Sequence, residues 1–398
     1  MRIRPWTGIA VAFVAMAILV ASCGDSDDDD SADTTAPAEE TTTAPAEDTT
    51  TSAAAAESTT TAGGTATTGD AAGGSVYDVD LTGICPDPLV IQTDWFPEPD
   101  HGYTYQAIGT EGTVDATSGT YSGPLANTGI TLEVRAGGPF INFSPPAQQI
   151  YADPSIFASY EKGPQILMWD PEAYPDMATI ADVKESGATV LYFDGAAYMD
   201  YLLATEQLDP GQVDGSYDGS PGRFVAEGNL VQQGFATNEV YNYENTIADW
   251  MKPVEFLLVH DTGFDIYQSA LSVRPETMTE YGECLAALVP IFQQAHVDYI
   301  NDPGPMNARF VEIVTELDTF WTLSESGNAD AVERMLDLGL VTDAGNSTIG
   351  DFDCARVDSL IEKLRPVFEG AGATLPADLA CADVVTNDFL DMSISLGQ

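Results

Sequence analysis

The chain has 398 residues, 44% of them hydrophobic, and sets 13 Lys and Arg against 63 Asp and Glu for a formal net charge of −50. So acidic a surface repels phosphate backbones and argues against a nucleic-acid partner. It also works against an anionic ligand, except where one buried arginine or a helix N-terminus binds an anion locally. With His101, His260 and His296 as the only histidines and no CxxC spacing, neither a metal-ligand cluster nor a cofactor is expected.

The first residues, MRIRPWTGIAVAFVAMAILVASC, place Arg2 and Arg4 before an apolar run that stops at small residues ahead of Cys23. Residues 1–23 therefore read as an export signal. Val20-Ala21-Ser22-Cys23 is similar to the bacterial lipobox, whose cysteine receives a diacylglyceryl group and becomes the new N-terminus. The alternative is an ordinary signal peptide with a chance cysteine, but no other cleavage region follows. At roughly 0.8 kcal/mol per buried CH₂, several acyl chains would hold the protein at a membrane surface. Residues 24–75 are Thr, Ala, Asp, Glu, Gly and Pro, and read as a disordered tether whose ends lie roughly 40 Å apart. Its run from Asp27 to Asp30 reads as solvated charge rather than a cation site. No later stretch is apolar enough to span a bilayer.

Setting aside the two signal-peptide arginines and the twelve acids of the tether, the body keeps 11 basic and 51 acidic residues, a net −40. At about 320 residues it is long enough for two lobes with their own cores. The runs PLVIQTD, ITLEVRAGG, QILMWD, ATVLYFDG, NLVQQGF and VEFLLVHD read as strands, most followed by helical patterns, which predicts an α/β fold with largely parallel sheets. From Pro275 onward four long stretches read as helices, the second being NARFVEIVTELDTFWTL, so a helical C-terminal layer on one lobe is expected. With Cys23 assigned to lipid, Cys85, Cys284, Cys354 and Cys381 suggest two disulfides in an exported body.

Several strand ends carry residues suited to a pocket. Trp95 and His101 lie in TDWFPEPDHGYTYQAIG, just past a strand and among helix-breaking prolines. Gly137 and Gly138 end another strand, where bare backbone can approach a ligand or make a tight turn. Asp194 and Gly195 close a third, with Tyr198 in the helix that follows. In GSYDGSPGRFV, Ser220 is suited to N-cap a helix with Pro221 in its first turn, and Tyr217-Asp218-Gly219 form the loop ahead. The crevice beyond the carboxyl ends of strands is where open α/β sheets bind ligands. Tyr105, by its spacing, reads as core.

These motifs, together with ILMWDPEAYPDMATIADV, QQGFATNEVYNYE and VTNDFLDMSISLG, resemble in their order the substrate-binding lipoproteins of ABC importers, in the nitrate, sulfonate, taurine and thiamine-precursor branch. The resemblance implies a two-lobed fold of the type II periplasmic-binding-protein kind, with a small ligand trapped between lobes and the closed form docking on a permease driven by an ATPase. It implies lobe 1 over 76–175, lobe 2 over 176–262, and a return to lobe 1 with C-terminal helices over 263–398. Trp95 would stack on the ligand, worth about 0.5 to 1.5 kcal/mol beyond burial. His101 would hydrogen-bond it. Tyr198, Tyr217, Asp218 and Ser220 would close over it from lobe 2, with Glu239 near the return crossing. The return also implies a Cys85–Cys284 disulfide, and a Cys354–Cys381 disulfide is expected because both cysteines lie in the helical tail. Between Tyr151 and Trp169 the family has a further strand and helix, and this chain is compressed.

The expected function is thus a monomeric, lipid-anchored, extracytoplasmic binding protein for an aromatic heterocycle or vitamin precursor. An anion of the nitrate, sulfonate or taurine type is the alternative, and Arg135 is the residue that would favour it. An enzyme like the thiamine-pyrimidine synthases of the same fold would need their cysteine-rich iron-binding run, and the chain has no GxSxG or HExxH either. A surface lipoprotein without a cleft is the remaining class. If Cys23 carries the anchor, Cys23→Ala releases the protein from the membrane fraction into the soluble exported fraction. Membrane association that survives the substitution would refute the assignment.

Overall fold

In the segment Thr131–Arg135 exposed and buried positions alternate, with Leu132 and Val134 turned inward, as expected of a strand covered on one face. The computed structural model describes residues 75–137 and 154–398, all within one compact unit spanning Asp70–Gln398. A first sheet contains β1 (Leu89–Gln92), β2 (Thr113–Asp115), β3 (Thr120–Pro124) and β4 (Thr131–Arg135), in the order β1-β4-β3-β2. β5 (Ser155–Phe157) lies in the compressed stretch and later pairs with β11 (Leu271–Ser272). The second sheet contains β6 (Gln165–Trp169), β7 (Val190–Leu191), β8 (Val213–Asp214), β9 (Val231–Phe235) and β10 (Glu255–Leu258), in the order β10-β6-β9-β7-β8. β6 thus joins the second sheet ahead of residue 175.

The body is α/β with two main sheets, but these are not largely parallel. Among the described residues the pairs β1–β4, β7–β8 and β7–β9 are parallel, while β3 and β6 run against both neighbours. Short turns join β2, β3 and β4, and a short turn can only reverse the chain. Periodicity alone did not reveal β2, β3, β5, β8 and β11, which are short or rich in Thr, Ser and Gly.

Helix α1 (Gly102–Gln106) follows a 3₁₀ turn at Pro99–His101. The second sheet carries α2 (Ile180–Ser186), α3 (Ala197–Ala204), α4 (Gly222–Glu227) and α5 (Glu239–Asn245). After β11 come α6 (Pro275–Glu280), α7 (Gly282–Asn301), α8 (Gly304–Leu317), α9 (Glu325–Asp337), α10 (Cys354–Gly370) and α11 (Cys381–Val384). The C-terminal helices do not form a layer on one lobe. α7 and α8 bury Phe292, Tyr299 and Phe310 in the larger core, which runs from the first sheet to Tyr217 and Phe224 beside the second, whereas α10 puts Leu360, Leu364 and Phe368 in the smaller core beside Val190, Tyr198 and Leu202. β6 touches both cores, sending Ile166 and Met168 into one and Leu167 and Trp169 into the other. α8 also stops short of DTFWTL. Asp318 adopts φ +51° at its end, a left-handed geometry that Asp tolerates, and turns the aromatic residues into a loop. α4 starts one residue later than expected, with Pro221 flanking it and Ser220 Oγ accepting from Gly222 N–H at 3.2 Å.

Both disulfides form as expected, Cys85–Cys284 and Cys354–Cys381. Closing loops of these two lengths contributes roughly 5 and 3.5 kcal/mol in the chain-entropy picture. The first ties the strand entering sheet one to α7, on which α1 rests, with the Tyr103 and Phe292 rings 5.8 Å apart. Tyr105 is fully buried, as its spacing predicts. Gly102 lies directly against the ring of Tyr299, which is itself fully buried and donates to Asn307 Oδ1 at 2.8 Å, so a Cβ there would overlap the ring. Gly102→Ala is therefore expected to cost roughly 1–3 kcal/mol of folding stability, as overpacked cores do. Urea denaturation checks this, and an unchanged midpoint would mean that α1 shifts away from α7 freely.

Candidate functional site

Where β1 ends, Thr93 joins it to the end of β4: its N–H donates to the Arg135 carbonyl at 3.0 Å and its hydroxyl to the Trp95 carbonyl at 2.7 Å. Gly137 N–H also donates to the Trp95 carbonyl, at 2.8 Å, so these two candidates are neighbours. Gly138 and Cys23 lie outside the described residues. The chain bends over residues 94–97, and Pro99 then opens the 3₁₀ turn that carries Asp100 and His101, with Glu98 flanking it.

His101 is buried, and its Nε2 lies 2.8 Å from Asp94 Oδ1. Burial pulls the His101 pKa down, but the hydrogen bond and charge of Asp94, with the charge of Asp100, leave it raised. For Asp94 burial pushes up, and its bond to His101 leaves it lowered. The Asp94 side chain is 54% exposed, so solvent screens this pair and it adds little to stability. Asp100 Oδ1 accepts from the Tyr160 hydroxyl at 2.8 Å and from Thr237 Oγ1 at 3.0 Å. Tyr160 precedes β6 and Thr237 follows β9, so this one oxygen links the first sheet's loop to the second sheet.

Glu239 opens α5 and accepts from Phe235 N–H at 2.6 Å, folded over Gly234, where a Cβ would come within 2.9 Å of its Cγ. Burial raises its pKa to about 7, and the charge of Asp100 adds to the effect. Burial, then the charges of Asp100, Asp94 and Glu239, hold Glu98 well above the usual carboxylate range. Asp100 is raised by burial too, the Tyr160 and Thr237 bonds and the charge of His101 pulling it back only in part.

These carboxylates border a recess of about 340 Å³, partly continuous with solvent, whose walls include Glu98, Asp100, Asn238, Tyr241, Ser324 and Asn328. No lining residue is basic. None of the sequence-derived candidates lines it; His101 and Glu239 adjoin lining residues along the chain. Beside it along the chain is an aromatic group that sequence reasoning missed because it took the loop for helix. Trp95 meets Phe96 and Trp321 edge-on, with ring centres 5.6 and 5.5 Å away, and Phe96 meets the exposed Phe320. The signal available was Phe320-Trp321 directly after Asp318-Thr319, a pair that stops helices more often than it extends them.

The remaining candidates gather on the second sheet. Gln233 Oε1 accepts from Phe193 N–H at 2.8 Å and from the Tyr198 hydroxyl at 2.9 Å, and the Tyr217 ring lies 4.7 Å from that of Phe193. Tyr198 and Tyr217 are buried, whereas Asp194, Gly195, Asp218 and Ser220 occupy exposed turns, where Asp218 Oδ1 accepts from Ser220 N–H at 2.9 Å. The charge of Glu239 reaches both Tyr217 and Glu98, so it stands between the two groups of candidates. Arg135 pairs with Glu133 at 2.5 Å and is half exposed. Among the described residues no three His, Cys, Asp or Glu are placed to hold a metal ion.

No protein-family model and no curated protein matches the chain. Among solved structures it is similar to the ligand binding component of an ABC-type import system from Staphylococcus aureus with zinc bound, at 12% identity and a TM-score of 0.45, over 75% of this chain and 97% of that one. It is also similar to the periplasmic aliphatic sulphonate binding protein of Escherichia coli, at 12% identity and a TM-score of 0.39, over 60% and 71% of the two chains. A Candida albicans protein described as having the generic periplasmic binding protein fold is similar at 12% identity and a TM-score of 0.38, over 76% and 98%.

Because the folded protein holds the Glu239 proton more tightly than the unfolded chain, Glu239 withdraws stability as pH rises from 4.5, its ordinary value, through about 7. Glu239→Gln keeps an acceptor for Phe235 N–H and removes the charge. Thermal melts of the unliganded protein should show no advantage for the variant below pH 4.5 and a growing one up to pH 8. A variant less stable than wild type at pH 8 would show that the charged hydrogen bond outweighs the burial.

Proposed function

We propose that this protein is an extracytoplasmic solute-binding lipoprotein, anchored through Cys23, that captures a small ligand between the segment leaving the first sheet and the segment leaving the second and delivers it to the permease and ATPase of an ABC importer. The observation that carries this reading is the recess at residues 98–100, 237–242 and 322–328, where three segments distant in sequence converge around two carboxylates with no base among the lining residues. Such a convergence of polar groups at the junction of two layers is the usual setting of a ligand site. The order of the sequence motifs supports the same class of protein, as do the binding-protein names of the structures the chain is similar to.

Within that reading, Trp95 offers an aromatic face or edge to the ligand, with His101 beside it and Tyr198, Tyr217, Asp218, Ser220 and Glu239 approaching from the second sheet as the protein closes. An aromatic heterocycle suits the Trp95–Trp321 group. An anion of the nitrate or sulfonate type is disfavoured, since no basic residue lines the recess and Arg135 is engaged by Glu133.

A thermal-shift screen of vitamins, nucleobases, polyamines, taurine and nitrate identifies the ligand class. With a ligand in hand, Trp95→Ala should weaken binding by about 2 kcal/mol or more. Its folding stability should fall by less than the roughly 3–5 kcal/mol that a fully buried tryptophan would cost. Lost stability with unchanged affinity would remove Trp95 from the site.

A further inference from the structure

We infer that Arg356 is a positioning residue for movement of the second sheet against the first: its guanidinium grips two chain segments that run between them, so that the two bend together. The inference goes beyond the ligand site, and its test needs no ligand. Residues 158–164 lead from β5 to β6, and residues 259–270 lead back from β10 to β11. The same two stretches of chain are paired at either end, β5 with β11 and β6 with β10, both antiparallel. β5 belongs to the larger core, where Phe157 meets the rings of Tyr103 and His296, whereas β6 and β10 are neighbours in the second sheet.

Arg356 lies in the first turn of α10, and its side chain is only 12% exposed. Its Nη1 donates to Glu161 Oε1 at 2.7 Å and its Nη2 to the Glu161 carbonyl at 2.8 Å, which ties it to the outgoing segment. Its Nε donates to the Asp265 carbonyl at 2.7 Å, and Nη2 also reaches the Ile266 carbonyl at 3.2 Å, which ties it to the returning one. The guanidinium carbon lies 3.8 Å from the centre of the Tyr267 ring, whose hydroxyl accepts from Asp353 N–H at 2.9 Å just ahead of α10. Farther along that helix, Lys363 donates to Asp265 Oδ1 at 2.7 Å. A planar fork with donors on three nitrogens can hold acceptors from two segments in fixed relation, which a single ammonium cannot. The segments also touch directly: Ser159 Oγ donates to the Ser269 carbonyl at 2.9 Å, and a Cβ on Gly163 would come within 2.8 Å of Gln268 Oε1. Hinges absorb their change in a few loop residues, and Ser269 already holds φ +55°, a left-handed geometry uncommon for serine. With both segments on one guanidinium, a bend in one carries the other with it. Without the fork each would bend by itself, and the two sheets would sample a wider range of separations.

The test uses the full-length protein in detergent, with nitroxide labels at two exposed positions, Ala116→Cys between β2 and β3 and Glu185→Cys on α2, and reads the distance between them by pulsed electron spin resonance. Arg356→Lys keeps the charge and loses the fork, and should broaden the distribution of distances. Glu161→Gln removes the ionic arm while leaving the carbonyl contacts, and should broaden it less. Hydrogen exchange should quicken in residues 158–164 and 259–270 of both variants and stay unchanged in β4 and β9. If Arg356 serves only to pack α10 locally, exchange and melting will change while the distance distributions of both variants superpose on that of the wild type. That result would overturn the inference. Should Arg356→Lys fail to fold, Glu161→Gln decides alone by the same comparison. Neither result touches the solute-binding reading, which the thermal-shift screen decides separately.

Discussion

The carboxylate of Asp100, held between the hydroxyls of Tyr160 and Thr237, is the contact on which the site depends. It joins a 3₁₀ turn at the end of one sheet to residues that enter and leave the other, and so ties together segments that border the recess. Its partners are neutral. An arginine in place of Tyr160 or Thr237 would make a stronger bond and would also neutralise the region, whereas two hydroxyls orient the carboxylate and leave its charge in play. Glu98 and Glu239 are raised first by burial, and the charge of Asp100 adds to the effect on both. Folding thus places charge where it is costly and leaves the cost unrelieved, as functional sites do when a bound partner supplies the compensation.

The two sheets divide the labour around that contact. In the first, Thr93 and the Cys85–Cys284 disulfide hold the end of β1 against β4 and the helical layer, which makes the 94–101 segment a fixed wall. In the second, Gln233 and Gln232 are buried side chains that bind Phe193 N–H, Tyr198, Tyr217 and Tyr243, fixing those aromatic residues through hydrogen bonds rather than through packing alone. Tyrosines held this way keep their ring positions while their hydroxyls remain satisfied.

The runs LVIQ, QILMW and EFLL were legible as strands because their apolar content is local and concentrated, TLEVR because polar and apolar residues alternate in it, and the long helices after Pro275 because their period is sustained. Strand direction was not legible: β3 runs antiparallel because short turns join it to β2 and β4, β6 runs against β9 and β10 across long connections, and apolar runs carry no information about either. Trp95 and His101 were correctly placed just beyond a strand, yet the recess itself is built by Glu98, Asp100 and Asn328. Asn328 sits in an ordinary-looking helix whose contact with Asn307 arises only from the packing of α8 and α9. Phe320 and Trp321 were hidden for a similar reason, since the left-handed turn at Asp318 that frees them from α8 depends on one backbone angle.

The charge of the whole molecule fits the same picture. The residues after position 75 carry a net charge of −40, which gathers cations near the surface and repels anions, at long range where salt permits. The most direct measurement is a crystal structure of the protein with whichever compound most raises its melting midpoint. The account predicts density in the recess bordered by residues 98–100, 237–242 and 322–328. Density instead between Tyr198 and Tyr217, or on a surface away from residues 98–100, would contradict it.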